Sequence, residues 1–212
     1  MSKLLIFDWD GTVVDSTAHI IDSINMAFRK IINKEFSPSD IKKIIGLSLP
    51  EAFGELTNNT FHHRYDDFVT CYKNIYIENR PAPFSGMSLG FERLINNNFT
   101  LAVATGKSRR GLDNDFKAFD LGKYFKDSKT ADDCFSKPHP QMVNDLIANL
   151  MVEKDNSIMI GDSLIDQEMA VNAGIGFVGV SYGATNPKDF SKYMLYCANE
   201  PLDLFDWIIK NV

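Results

Sequence analysis

The chain has 212 residues, a formal net charge of -6, 44% apolar and 24% charged residues, which is enough length and apolar content for a substantial core and argues against disorder. Its acidic balance and lack of any basic tract exclude a general nucleic-acid binder, because affinity for phosphate backbones rests on clustered Lys and Arg. Cys71, Cys134 and Cys197 lie far apart without a CxxC pair, which suggests neither a disulfide framework nor a zinc site and fits a reducing cytoplasm, while the N-terminal apolar run, broken by Asp8, is too short for a signal peptide and no stretch approaches the length of a membrane span.

Lys3 to Phe7 reads as a short buried strand that runs straight into Asp8 and Asp10 of DWDGT. Two carboxylates at the end of such a strand are electrostatically costly unless a cation meets them. Gly11 has to curl the chain to bring them together, since alternate residues on a regular strand stand two rises apart. Trp9, between them, points the other way and is expected to pack under a helix.

The next stretch is helical. Ile20, Ile24, Ala27, Phe28 and Ile31 recur at helical spacing, and Ser37-Pro38-Ser39-Asp40 starts a second helix with a cap residue and Pro at the first position. A third runs from Phe61 to Glu78, and its apolar stripe includes Tyr65, Phe68, Tyr72 and Tyr76. Residues 15–83 thus read as an all-helical insert, joined to the rest by Val13-Val14-Asp15 and by a stiff, extended Arg80-Pro81-Ala82-Pro83.

Beyond the insert, strand-like runs (FTLAVATGK, SIMIGDS, GFVGVSYG) alternate with helix-like ones (LGFERLINN, PQMVNDLIANL, IDQEMAVNAG). That pattern predicts an α/β core, a Rossmann-like parallel sheet with helices on both faces, made of residues 1–14 and 84–212. Ligands of such sheets lie outside the carboxyl ends of the strands, which gathers Asp8, Asp10, Thr105 and Asp162 at one rim. Thr105 offers a hydroxyl there, Gly106 an accessible N–H at a helix start, and Lys137 a full positive charge, three donors suited to a phosphate. Thr12 joins them as a phosphate-binding candidate. Asp166 lies about one helical turn after Asp162 and is placed at the edge of the same ligand set.

In order and separation, DWDGT at Asp8, TGK at Thr105, KPHP at Lys137 and GDSLID at Gly161 resemble the four motifs of the haloacid dehalogenase-like (HAD) superfamily. The helical insert after the first motif, with its GLSLPEA, is similar to the C1 cap of the phosphoglycolate phosphatase-like subfamily. The resemblance implies that Asp8 is the nucleophile of an aspartyl-phosphate, that Asp10 protonates the leaving group and then activates water, and that Lys137 orients Asp8. It also implies Mg²⁺ held by the Asp8 side chain, the Asp10 carbonyl and Asp162, a hard ion suited to oxygen ligands.

Asp10 separates this pattern from the dehalogenases, which lack an aspartate two residues after the nucleophile. The leading expectation is a Mg²⁺-dependent phosphatase of a small phosphorylated metabolite, phosphoglycolate first, acting without a nucleic-acid or membrane partner. Pyrophosphatase, sugar-phosphate or nucleotide phosphatase and sugar phosphomutase activities stay open, as does a phosphonatase using Lys42 or Lys43. A phosphoaspartate signalling module is the non-enzyme alternative. The Gly46–Leu49 turn of the insert is the expected lid contact.

Overall fold

The computed structural model describes residues 3–212. A six-stranded, wholly parallel sheet forms its centre, with strand order β3-β2-β1-β4-β5-β6. The strands are β1 (Leu4–Phe7), β2 (Thr100–Ala104), β3 (Asp127–Lys129), β4 (Ser157–Gly161), β5 (Gly176–Val180) and β6 (Met194–Ala198). The chain builds outward from β1 through β2 to β3, then returns to place β4 on the other side of β1. The order therefore reverses between β1 and β4, and a crevice opens at their carboxyl ends.

Both faces of β1 are covered, which is why it reads as an unbroken apolar run. Leu5, Phe7 and Trp9 enter one core with Phe91 and Leu94 of α5 (Met87–Asn96), Leu112 of α6 (Arg109–Phe119) and Phe205 of α9 (Pro201–Asn211). Leu4 and Ile6 enter the other, with Met142 and Leu146 of α7 (Gln141–Leu150) and Met169 and Ala170 of α8 (Leu164–Ala173). Trp9 packs edge-on to Phe116 at 5.2 Å, as alternation predicts.

The insert carries α1 (Thr17–Ile32), α2 (Pro38–Ile44), α3 (Leu49–Thr57) and α4 (Tyr65–Glu78) around its own apolar cluster. Phe28 is its hub, with ring centroids 4.5 Å from Phe68, 4.8 Å from Phe36 and 5.4 Å from Phe53. The two connections pair with each other: the Asp15 N–H donates to the Ala82 carbonyl and the Phe84 N–H to the Val13 carbonyl, both at 3.0 Å. Val14 and Pro83 form an antiparallel bridge between them.

Four elements escaped the sequence reading. Helix α3 starts from Ser48 with Pro near its first position, a start signal hidden by reading Gly46 to Leu49 only as a turn. Strand β3 is the half-buried edge tripeptide DSK and carries no apolar run. Strand β6 is the opposite edge, half-buried and without clean alternation, and α9 follows it.

Candidate active site

The Asp8 N–H donates to the Ile160 carbonyl at 2.8 Å, continuing the β1–β4 pairing one residue past the strand and setting Asp8 beside the end of β4. Gly11 then turns the chain with φ +85°, a left-handed value, and a Cβ there would lie 2.3 Å from Asp162 Oδ2. Only glycine allows the first loop to close over Asp162 in this way. Asp162 is fixed by the Thr12 hydroxyl on Oδ1 at 3.2 Å and the Ala184 N–H on Oδ2 at 2.6 Å. Thr12, expected among the phosphate-binding groups, thus directs its hydroxyl to Asp162.

Lys137 reaches the same point from the loop before α7. Its buried Nζ lies 2.5 Å from Asp8 Oδ1 and 2.6 Å from Asp166 Oδ1. Asp166 is also the third helical residue of α8, where its Oδ2 accepts the Ser163 N–H at 3.2 Å and the Ser163 hydroxyl at 2.6 Å in a reciprocal capping box. The carboxylate placed at the edge of the ligand set by sequence is therefore already engaged on both oxygens, and holds Lys137 to the end of a helix. Burial opposes the Lys137 charge, but Asp166 and Asp8 more than offset it and hold the ammonium above its ordinary pKa.

Carboxylate oxygens of Asp8, Asp162 and Asp166 all lie within 4.8 Å of one another, and all three residues are buried. One ammonium does not neutralise three carboxylates. Burial, Asp166 and Asp162 push the Asp8 carboxyl well above its usual range against the pull of Lys137. Burial and Asp166 push Asp162 up to about 7, although the Ala184 N–H, Lys137 and Thr12 oppose the shift. Among the described residues Asp8 Oδ2 is buried with no hydrogen-bond partner, a costly state for a carboxylate oxygen. An orphaned acceptor in an acidic, all-oxygen pocket fits a hard divalent cation.

Asp10 stands apart from this trio in a second cluster. Its Oδ1 accepts the Ser16 hydroxyl at 2.9 Å and the Tyr76 hydroxyl at 3.2 Å, and Lys107 Nζ lies 3.1 Å from both of its oxygens. Behind Lys107 sits Asp115 at 3.4 Å, which also accepts the Trp9 indole N–H at 3.0 Å. Sequence reasoning quoted Lys107 in TGK without giving it a role, and it missed Asp115 and Tyr76. Asp115 did carry a signal: it shares the inward face of α6 with Leu112, Phe116 and Phe119, where a carboxylate needs a partner. Tyr76 carried none, because its ring belongs to the apolar stripe of α4.

Thr105, buried at the end of β2, accepts the Lys107 N–H on its hydroxyl at 3.2 Å. Gly106 lies directly under the insert: a Cβ there would stand 2.3 Å from the Gly46 carbonyl oxygen and 2.4 Å from that of Leu47. The Ser48 N–H donates to Ser136 Oγ at 2.8 Å, one residue before Lys137. The turn expected to touch the core does so at two of its motif loops. His139 accepts from the Gln141 N–H and packs its ring against Phe135, centroids 4.8 Å apart and planes tilted by 51°.

The sequence pattern described as Haloacid dehalogenase-like hydrolase matches residues 5–180. The chain belongs to this family. Among curated relatives of this HAD member, the protein named "Probable phosphatase IndB" from Dickeya dadantii is 33% identical over 86% of this chain and 83% of its own length. The phosphoglycolate phosphatase of Agrobacterium fabrum is 29% identical over 88% of this chain and 83% of its own. Pyrophosphatase PpaX of Bacillus mycoides is 24% identical over 84% and 83%. In fold, the HAD chain is similar to a hydrolase from Pseudomonas syringae, with TM-score 0.89, 21% identity and 100% of both chains covered. No described helix is long and apolar enough to cross a membrane.

Proposed function

We propose that this HAD hydrolase is a Mg²⁺-dependent phosphatase that cleaves a small phosphomonoester through an aspartyl-phosphate on Asp8. The observation that carries the reading is a buried carboxylate, Asp8, with an ammonium at 2.5 Å and with carboxylate oxygens of Asp162 and Asp166 within 4.8 Å of its own. Attack by an anion on an anionic phosphoryl group needs that concentration of positive charge around it.

Asp8 would hold the cation together with Asp162 and the Asp10 carbonyl, with Asp166 contributing through Lys137. When bound, Mg²⁺ supplies charge neutralisation between the nucleophile and the phosphoryl oxygens. In the first step a bond forms between an Asp8 carboxylate oxygen and phosphorus while the bond to the leaving oxygen breaks, and Asp10 gives that oxygen a proton. In the second step Asp10 takes a proton from water, which attacks phosphorus and releases Asp8 and inorganic phosphate. Lys137 steadies Asp8 through both steps, while Thr105 and the Gly106 N–H receive phosphoryl oxygens. The seated turn of Gly46 to Ser48 excludes bulk water.

Phosphoglycolate is the leading substrate, supported by the name of the Agrobacterium relative. Pyrophosphate is the second, supported by the names of the PpaX relatives. The test is phosphate release from phosphoglycolate, pyrophosphate, sugar phosphates and nucleotide monophosphates, with Mg²⁺ and with chelator, beside Asp8→Asn. Mg²⁺-dependent turnover that is lost in the variant supports the mechanism and names the substrate. Release that survives Asp8→Asn removes Asp8 as the nucleophile.

A further inference from the structure

Lys107 lies beside the site with its side chain 12% exposed, yet the chemistry above gives it no task. Its ammonium carries three hydrogens and meets three partners: the Asp10 carboxyl at 3.1 Å, the Asp115 carboxylate at 3.4 Å and the Tyr76 hydroxyl at 3.1 Å. None is left over for a substrate oxygen, which separates Lys107 from a phosphate-binding lysine. Its position is set independently of Asp10. Asp115 is fixed by the Trp9 indole and by Arg80 at 3.8 Å, and the ammonium also lies 4.6 Å from the centre of the Tyr76 ring.

The two oxygens of Asp10 are treated unequally. Oδ1 meets three donors, from Ser16, Tyr76 and Lys107, whereas among the described residues Oδ2 meets Lys107 alone. A carboxyl oxygen has two lone pairs, so Oδ1 is saturated and Oδ2 retains room for a proton or a substrate oxygen. Lys107 bridges both oxygens and resists rotation of the group that would exchange them.

We propose that Lys107 is a positioning residue for Asp10: anchored by Asp115 on the core and by the Tyr76 hydroxyl on the insert, it fixes the Asp10 carboxyl so that Oδ2 faces the leaving group. The inference rests on the reading of Asp10 as proton donor. Because Tyr76 belongs to α4, the array is complete only with the insert seated, which ties the aim of the proton donor to the position of the lid.

The test uses the dependence of kcat/KM on leaving-group pKa across aryl and alkyl phosphates with Mg²⁺. At initial rates kcat/KM reports the steps up to expulsion of the leaving alcohol, and an alkoxide depends on the proton far more than a nitrophenolate does. Asp10→Asn is expected to steepen the slope. Lys107→Met should steepen it in the same direction, with a loss on alkyl esters about tenfold or more beyond that on aryl esters. Lys107→Arg should recover part of that difference, and Tyr76→Phe should show a smaller one. An equal loss on all esters in Lys107→Met, or a rise in KM alone, beside a steepened Asp10→Asn, overturns the role of Lys107 and leaves Asp10 standing. An unchanged slope in Asp10→Asn overturns the proton-donor reading and this inference with it. Should Lys107→Met fail to fold, Tyr76→Phe decides, a steeper slope supporting the proposal and a parallel one overturning it.

Discussion

Lys137 and Asp166 form an ion pair at 2.6 Å that is closed to solvent on both sides, and the Lys137 ammonium is at the same time 2.5 Å from Asp8. The lysine is thus tethered to the first residues of α8 by a carboxylate that also caps that helix. Position and charge at Asp8 depend on a helix N-terminus more than 150 residues downstream in the chain.

Removing the ammonium is expected to hurt both chemistry and stability. Lys137→Met would leave two buried carboxylates without their partner, a change that costs about 3–5 kcal/mol when a buried pair is broken. It would also remove a charge from the phosphoryl group, worth about 10²-fold or more in kcat. Thermal melting alongside phosphate release checks both, and a variant with wild-type kcat would place Lys137 outside the mechanism.

Asp166→Asn separates the two duties of that side chain. The amide can still accept from Ser163, so the cap of α8 should survive and the melting temperature should fall by only a few degrees. The charge holding Lys137 is gone, so kcat should fall on the order of tenfold or more through a displaced ammonium. Asp166→Ala should also lose the carboxylate half of the capping box, keeping only the residue 166 N–H on Ser163 Oγ, and melt lower than Asp166→Asn. Equal melting of the two variants would refute the capping role.

Stability in chelator should fall as pH rises. Asp8 and Asp162 both have folded-state pKa values above the ordinary 3.8, Asp162 at about 7. A carboxyl raised in this way stabilises the fold fully below its unfolded pKa, and that contribution is lost as pH climbs through the folded value. A divalent cation competes with those protons, so the rise in melting temperature produced by Mg²⁺ should grow from about pH 5 to about pH 8. Calorimetry at several pH values with and without Mg²⁺ measures this, and an increment that stays flat would argue against the acidic trio as the binding site.

What could be read from the sequence follows from how locally each feature is encoded. Asp8 and Asp162 sit in short motifs at the ends of apolar runs, so the rule about strand ends gathers them before any coordinates are known. Lys137 follows no apolar run and is joined to Asp8 only by the resemblance of KPHP to a family motif. The edge strands β3 and β6 were not legible, because each buries only part of its surface and lacks an apolar run. Lys107 and Tyr76 were hidden for another reason. Their partners come from the first loop, α4 and α6, and only the docking of the insert on the core brings these together. Asp115 shows the intermediate case, a buried carboxylate betrayed by its apolar neighbours on one helix face but with a partner that the sequence does not name.

Contact between insert and core at Gly106 gives a test of the lid that leaves every ionisable group in place. Gly106 is not among the residues with positive φ, so an alanine suits its backbone, and the obstacle is the insert itself. The new Cβ would stand 2.3 Å and 2.4 Å from the backbone oxygens of Gly46 and Leu47, which cannot swing away as a flexible side chain could. Relief has to come from lifting the turn, at the expense of the Ser48 to Ser136 hydrogen bond and of the seat of Tyr76 beside Lys107. Gly106→Ala is therefore expected to keep its core and melt within a few degrees of wild type, while kcat/KM falls on the order of tenfold or more as water enters and the donors around Asp10 separate. Small-angle scattering should report a more open particle. A variant with unchanged kcat/KM and unchanged scattering would show that the turn does not close on the site.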